Sequence, residues 1–307
     1  MDANKNIKSV AVLGTGLMGA PMASCLLRAG YSLSVWNRTA EKTQALVSEG
    51  AKAATNPADA ASDADVVITM LADGTAVGNV LFDSGVAAAL SPKTIVIDMS
   101  SIPPATARDH SARLSGLNIW HLDAPVSGGT KGAAEGTLAI MAGGTSEAFG
   151  TVKPMLESMG RPTLIGPSGT GQLAKLANQA IVAVTIGALS EALLLAAAGG
   201  ADPAKVREAL SGGFADSPIL KLHGQRMLER NFIPGGPTRM QVKDLRTVLA
   251  TAEDVGLDLP ISKTVAALFE DLLASGFGEC DHSALLLEIE RRNAGKRVGG
   301  KPDQLPS

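Results

Sequence analysis

An apolar run at residues 10–13 leads straight into Gly14-Thr15-Gly16-Leu17-Met18-Gly19, and a helical pattern follows over 18–29. A second apolar run, 33–36, comes next, so the glycines lie inside a strand–helix–strand unit. In that context the spacing marks a dinucleotide site and not an ordinary glycine turn. Gly14 permits the tight turn, Gly16 lets the backbone reach a pyrophosphate, and Gly19 lets the helix pack close on the strand. Leu17 and Met18 lie where the helix start offers oriented N–H groups and partial positive charge.

The end of the second strand selects the cofactor. A site for NAD usually carries Asp or Glu there, for the ribose 2′-hydroxyl. This chain carries Asn37-Arg38-Thr39. Without an acid to repel a 2′-phosphate, Arg38 can pair with one, and Thr39 can add a hydroxyl. NADP is therefore expected over NAD, which stays possible. The alternative is that Arg38 stacks on adenine or faces solvent. Later strand ends should also face the cofactor. Leu71 follows the third strand and Ser101 the fourth, suited to ribose or adenine and to ribose or nicotinamide amide respectively.

Short apolar runs at 10–13, 33–36, 66–70, 95–98, 119–123, 139–142 and 163–165 alternate with helical stretches such as 40–49. That alternation predicts a parallel sheet wound with right-handed crossovers. From about Gly171 strands cease, and helical segments are expected at 171–198, 203–211, 219–229, 241–255, 261–274 and 281–293. The expected fold class is α/β, an N-terminal Rossmann doubly wound sheet followed by an all-α C-terminal domain. The dinucleotide domain should span 1–168 and the helical substrate and oligomerisation domain 169–294. The polar, Gly- and Pro-containing tail 295–307 is expected to lack fixed structure.

With 307 residues, 45% of them hydrophobic and 19% charged, the chain can bury a sizeable core without disulfide or metal staples. A net charge of −3 argues against nucleic acid and anionic lipid as partners. Cys25 and Cys280 form no CxxC pair and read as small buried hydrophobes of a reducing compartment. The first eight residues lack a leader pattern, so a cytoplasmic location is expected. Residues 180–201 are apolar enough to span a bilayer, but Glu191 lies near their middle and no aromatic anchors flank them. A helix buried on all sides, in a large domain or a dimer core, is expected instead of a membrane span.

Two further segments carry candidate chemistry. In Asp123-Ala124-Pro125-Val126-Ser127-Gly128-Gly129, the Ser127 hydroxyl and the amides at Gly128 and Gly129 could receive a carboxylate, or form an ordinary turn. Lys175 and Asn178 share one helical face. A lysine among Leu and Ala loses hydration, which lowers its pKa and suits it to donate a proton to an alkoxide. The alternative is a snorkelling surface lysine. Asn178 could hold substrate or orient that lysine. Lys243-Asp244 reads by default as a surface ion pair, and Asp281-His282-Ser283 as a capped helix start. No cluster has metal-ligand spacing, so no metal is expected.

Together these motifs resemble the β-hydroxyacid dehydrogenase family from about Ile7 to about Arg292. The stretch 12–22 is similar to its cofactor segment, 123–129 to its substrate segment, and 171–179 to its catalytic segment. The resemblance implies that Lys175 is the general acid/base, that Ser127, Gly128 and Gly129 bind a carboxylate, and that Asn178 contacts substrate. It places Ser101 and Lys243 near the nicotinamide end. It also implies a small 3-oxo or 3-hydroxy acid substrate and a homodimer or homotetramer. Residues 212–217 with 219–220, 223–227 and 281–285 are similar to the tartronate semialdehyde reductases of the family. Gly235-Gly236-Pro237-Thr238-Arg239-Met240 departs from them where the substrate pocket is expected. Other readings on this architecture are a dehydrogenase of 3-hydroxyisobutyrate, serine or threonate, an imine reductase, and a nonenzymatic dinucleotide-binding scaffold. Lys175 argues against the imine reductase, and Lys175 with Asn178 against the scaffold.

Overall fold

The computed structural model describes residues 7–306. Residues 1–6, on which the expectation about a leader mainly rests, lie outside them. The chain forms two compact units, one ending at Lys175 and one beginning at Leu176.

Nine strands make one sheet in the first unit: β1 (Ser9–Leu13), β2 (Ser32–Trp36), β3 (Lys52–Ala53), β4 (Val66–Thr69), β5 (Ile95–Asp98), β6 (Trp120–Asp123), β7 (Val126–Ser127), β8 (Leu138–Gly143) and β9 (Gly160–Gly166). Their order is β3-β2-β1-β4-β5-β6-β8-β7, with β9 also paired to β8. The first six strands run parallel in the doubly wound order, which reverses direction between β1 and β4. Alternate residues of β1 serve opposite faces. Val10 and Val12 join one apolar layer, with Met22, Leu26 and Ile68, while Ala11 and Leu13 join the other, with Val67, Val77 and Leu81.

Two findings correct the expected parallel sheet. β8 runs antiparallel to β6 and to β7. The two-residue strand β7 is a hairpin arm immediately after β6, too short for any periodic pattern to announce.

The second unit is helical: Pro203–Leu210, Pro218–Glu229, Thr238–Asp254, Pro260–Ala274 and Leu285–Arg292, with the end of Thr170–Ala198. Three of these helices have Pro at their first turn, where a missing N–H costs nothing. The long helix is apolar enough to cross a membrane. Its Ala183, Ile186, Leu189, Leu193 and Leu194 enter the core of the second unit. Within the single chain its Ile181 and Leu195 remain 66% and 75% exposed, so the chain alone does not bury it on all sides.

The expected break at 168/169 falls just before the long helix, and by packing the first six residues of that helix belong with the first unit. The cause is Asp123, whose carboxylate accepts the Gly169 and Gln172 amides at 2.7 and 2.9 Å and holds the helix start to the sheet.

The tail is ordered, against expectation. Arg230 is wholly buried and donates to both carboxylate oxygens of Glu290 and to Asp303. Gln304 pairs with the backbone at Arg230 and Phe232, and Val298 is fully buried. Composition suggested a loose tail, but a buried cation needing counter-charge decides its place.

Candidate active site

The glycine turn is shaped by contact with neighbouring backbone. Gly14 has φ +107°, and a side chain there would meet Met70 O at 2.4 Å, where β1 and β4 diverge. A side chain at Gly19 would lie 1.9 Å from Gly14 O. At Gly16 the same atom would meet nothing within 4 Å. Two of the three glycines are therefore required by the fold, and the third leaves open space beside the chain. The helix that follows, Gly19–Arg28, has no side-chain cap at Met18, and Leu17 is 75% exposed. A closed turn, open space at Gly16 and an uncapped helix start fit a dinucleotide pyrophosphate.

Asn37 supports this turn. Its Oδ1 accepts the Thr15 amide at 3.1 Å, and its Nδ2 donates to Thr39 O at 2.9 Å. Arg38 and Thr39, on the same rim, are exposed. Leu71 is half-buried against Gly14, and its amide donates to the buried Ser100 hydroxyl at 2.9 Å.

The second cluster of the first unit gathers where β5, β6 and β7 end. Asp98 and Asp123 are register partners on β5 and β6. Asp98 Oδ1 accepts from the Thr69 hydroxyl and the Ser100 amide, while its Oδ2 is buried without a hydrogen bond among the described residues. Burial pushes the Asp98 carboxyl up to about 6, against those hydrogen bonds. Burial likewise pushes Asp123 up to about 6, opposed by the amides it accepts and reinforced by the negative charge of Asp98.

From the helix start fixed by Asp123, Lys175 reaches back to the sheet. Its Nζ donates to Val126 O at 2.9 Å. The next residues are Ser127, half-buried, and Gly128 and Gly129, both exposed. Their φ values of +140° and +63° are ones side-chain-bearing residues resist. Lys175, half-buried, thus lies beside the 127–129 turn, with its amine on a backbone carbonyl of the same unit.

In the second unit, Asn178 and Lys243 join one network. Asn178 Nδ2 donates to Gln179 Oε1 at 2.9 Å, and Gln179 Nε2 donates to Asp244 Oδ2 at 2.5 Å. Lys243 Nζ lies 3.3 Å from Asp244 Oδ1. Asp244 is buried, which corrects the default reading of a surface pair. The divergent segment at 235–240 is held by Asp281, whose Oδ2 accepts the Gly235 amide at 2.9 Å. Asp281 also accepts from Ser283 N, the cap expected at that helix start.

The buried glutamines 172 and 179 carry much of this arrangement and escaped the sequence reading. Apart from the adjacent Asn178, their side chains find partners 62 to 72 residues away, so no local pattern reveals them.

Residues 9–171 match the family described as the NAD binding domain of 6-phosphogluconate dehydrogenase. Residues 169–289 match that described as NAD-binding of NADP-dependent 3-hydroxyisobutyrate dehydrogenase. The 2-hydroxy-3-oxopropionate reductase of Escherichia coli is 44% identical over 91% of this chain and 96% of its own. An NAD-dependent L-serine dehydrogenase of Pseudomonas aeruginosa is 36% identical over 91% of this chain and 97% of its own. Among solved structures, 3-hydroxyisobutyrate dehydrogenase of Mycobacterium tuberculosis with L-serine superposes with a TM-score of 0.83 at 30% identity, covering 92% of this chain and 99% of that one. The glycine turn, the two-part architecture and these relatives agree: the chain belongs to the β-hydroxyacid dehydrogenase family and is an NAD(P)-dependent enzyme acting on the CH–OH group of small hydroxy acids.

Proposed function

We propose that this enzyme is an NADP-preferring reductase that converts tartronate semialdehyde (2-hydroxy-3-oxopropionate) reversibly to D-glycerate, with Lys175 as general acid/base. The observation that carries this reading is the Lys175 amine 2.9 Å from Val126 O, one residue from the 127–129 turn. The identity to the Escherichia coli reductase supports the substrate.

When bound, the reduced nicotinamide supplies the hydride that reaches the aldehyde carbon. Lys175 delivers a proton to the carbonyl oxygen as alkoxide charge develops there, and takes it back in the reverse direction. The Ser127 hydroxyl and the amides of Gly128 and Gly129 receive the substrate carboxylate. Asn178 contacts the substrate, steadied by Gln179. Gly14, Gly16, Leu17, Met18 and Gly19 hold the pyrophosphate. Asn37 keeps the rim in shape, which leaves Arg38 and Thr39 for the 2′-phosphate. Leu71 packs on ribose or adenine, and Ser101 and Lys243 bind near the nicotinamide.

A second reading, an L-serine or 3-hydroxyisobutyrate dehydrogenase on the same residues, is supported by the relatives of those names. Initial rates separate the two. Tartronate semialdehyde, methylmalonate semialdehyde, succinate semialdehyde and glyoxylate are assayed with NADPH and NADH, and L-serine with NADP and NAD. The highest kcat/KM is expected for tartronate semialdehyde with NADPH. Activity confined to another acid overturns the substrate. Equal use of both cofactors overturns the NADP preference. A homodimer or homotetramer is expected as well, supported by the exposed Ile181 and Leu195, and sedimentation of a monomer at micromolar concentration would remove it.

A further inference from the structure

We propose that Gln172 is a positioning residue, which sets the 100–102 loop against the helical turn that carries Lys175. Gln172 is 1% exposed, although it stands two residues into a helix start, where glutamine is ordinarily solvated. Its backbone amide and both atoms of its side-chain tip are directed at the ends of two strands. Its amide donates to Asp123 Oδ2 at 2.9 Å, at the end of β6. Its Nε2 donates to Ser100 O at 2.8 Å, and its Oε1 accepts from Ile102 N at 3.2 Å.

Those last two bonds fall on either side of Ser101. One side chain thus grips the backbone before and after the residue assigned to the nicotinamide end. Only a side chain with a donor and an acceptor at one tip can do this. Lysine offers donors alone, glutamate acceptors alone, and methionine neither of useful strength. Gln172 and Lys175 are three residues apart on one helix, hence on one face. The same turn therefore fixes both the proton donor and the loop facing the hydride donor. The inference rests on the proposed roles of Lys175 and Ser101. Hydride and proton transfer to one carbonyl need both groups placed together, and misplacement of about 1 Å can cost on the order of a hundredfold.

The test uses Gln172→Met, which keeps the volume and loses both tip bonds, and Gln172→Glu, which keeps only the bond from Ile102 N. Lys175→Ala is run beside them. Gln172→Met is expected to fold by circular dichroism, to melt several degrees lower, and to lose roughly tenfold to a hundredfold in kcat. KM for the oxo acid should change less than about twofold, since the carboxylate turn is untouched. The primary isotope effect on kcat with 4-deuterated reduced cofactor should rise above the wild-type value, as hydride transfer becomes slower. Gln172→Glu should fall between, and serves alone if the Met variant does not fold. If activity falls only in step with the unfolded fraction, with the isotope effect and KM unchanged, Gln172 is merely structural and the inference fails. If Lys175→Ala retains turnover, the site assignment fails and takes the inference with it. A dead Lys175→Ala beside an unchanged isotope effect in Gln172→Met refutes the positioning role alone.

Discussion

The turn at 14–19 and the helix start at 169–175 both open a helix at the carboxyl edge of one sheet, yet they are built by opposite means. The first is made of backbone packed on backbone: Gly14 against Met70 O and Gly19 against Gly14 O. The second is made of side chains, with Asp123 accepting two helix amides and Gln172 gripping the 100–102 loop. The first tolerates no added atom at two positions and holds no titratable group. The second is a network of donors, acceptors and a buried carboxylate pair, so it can be loosened by chemistry as well as by bulk.

The sharpest test of that contrast is Lys175→Ala. It should lower kcat by roughly 10²–10⁴ while cofactor affinity, measured by fluorescence titration, changes little. Cofactor loss of the same size would mean that the two helix starts are not separable. The glycine turn is broken next. Gly19→Ala places an atom 1.9 Å from Gly14 O and should destabilise by at least about 1–3 kcal/mol in urea unfolding. Gly16→Ala meets nothing within 4 Å, so it should leave the urea midpoint alone yet weaken dinucleotide binding by about tenfold. Equal midpoints for the two variants would contradict the division between fold-required and ligand-facing glycines. Arg38→Ala should weaken NADPH by about tenfold more than NADH, the usual worth of a bond to a charged group. A matched loss for both removes Arg38 from the 2′-phosphate.

The smallest effect concerns titration. Burial raises the Asp98 carboxyl to about 6. A raised folded pKa contributes stability that is present below the unfolded value near 4 and is lost as pH rises through 6. Wild type should therefore gain roughly 1 kcal/mol over Asp98→Asn when urea unfolding moves from pH 7 to pH 5. A pH-independent difference would show that the Asp98 carboxyl is not raised.

The same contrast explains what the sequence discloses. Glycine spacing reports backbone geometry directly, and the turn at 14–19 was legible in full. So were β5 at its observed bounds and the long helix to within one residue, because both are continuous apolar runs. Lys175 was legible through its segment and its helical spacing from Asn178. Gln172 was not, for its partners at 100 and 102 become neighbours only once β5 and the helix are both in place. The β7 arm was missed because two residues hold no period. The tail was misread because composition records polarity and not the buried cation that the polarity serves.

That cation sets an order of events. Arg230 is wholly enclosed, and its two counter-charges stand 60 and 73 residues further along the chain. A growing polypeptide makes the guanidinium long before it makes Glu290 or Asp303. Until both have left the ribosome, enclosing Arg230 would strand a charge in an apolar core, at a penalty of several kcal/mol. The core of the helical unit therefore waits on residues near 303, while the glycine turn finds all its parts between residues 14 and 71.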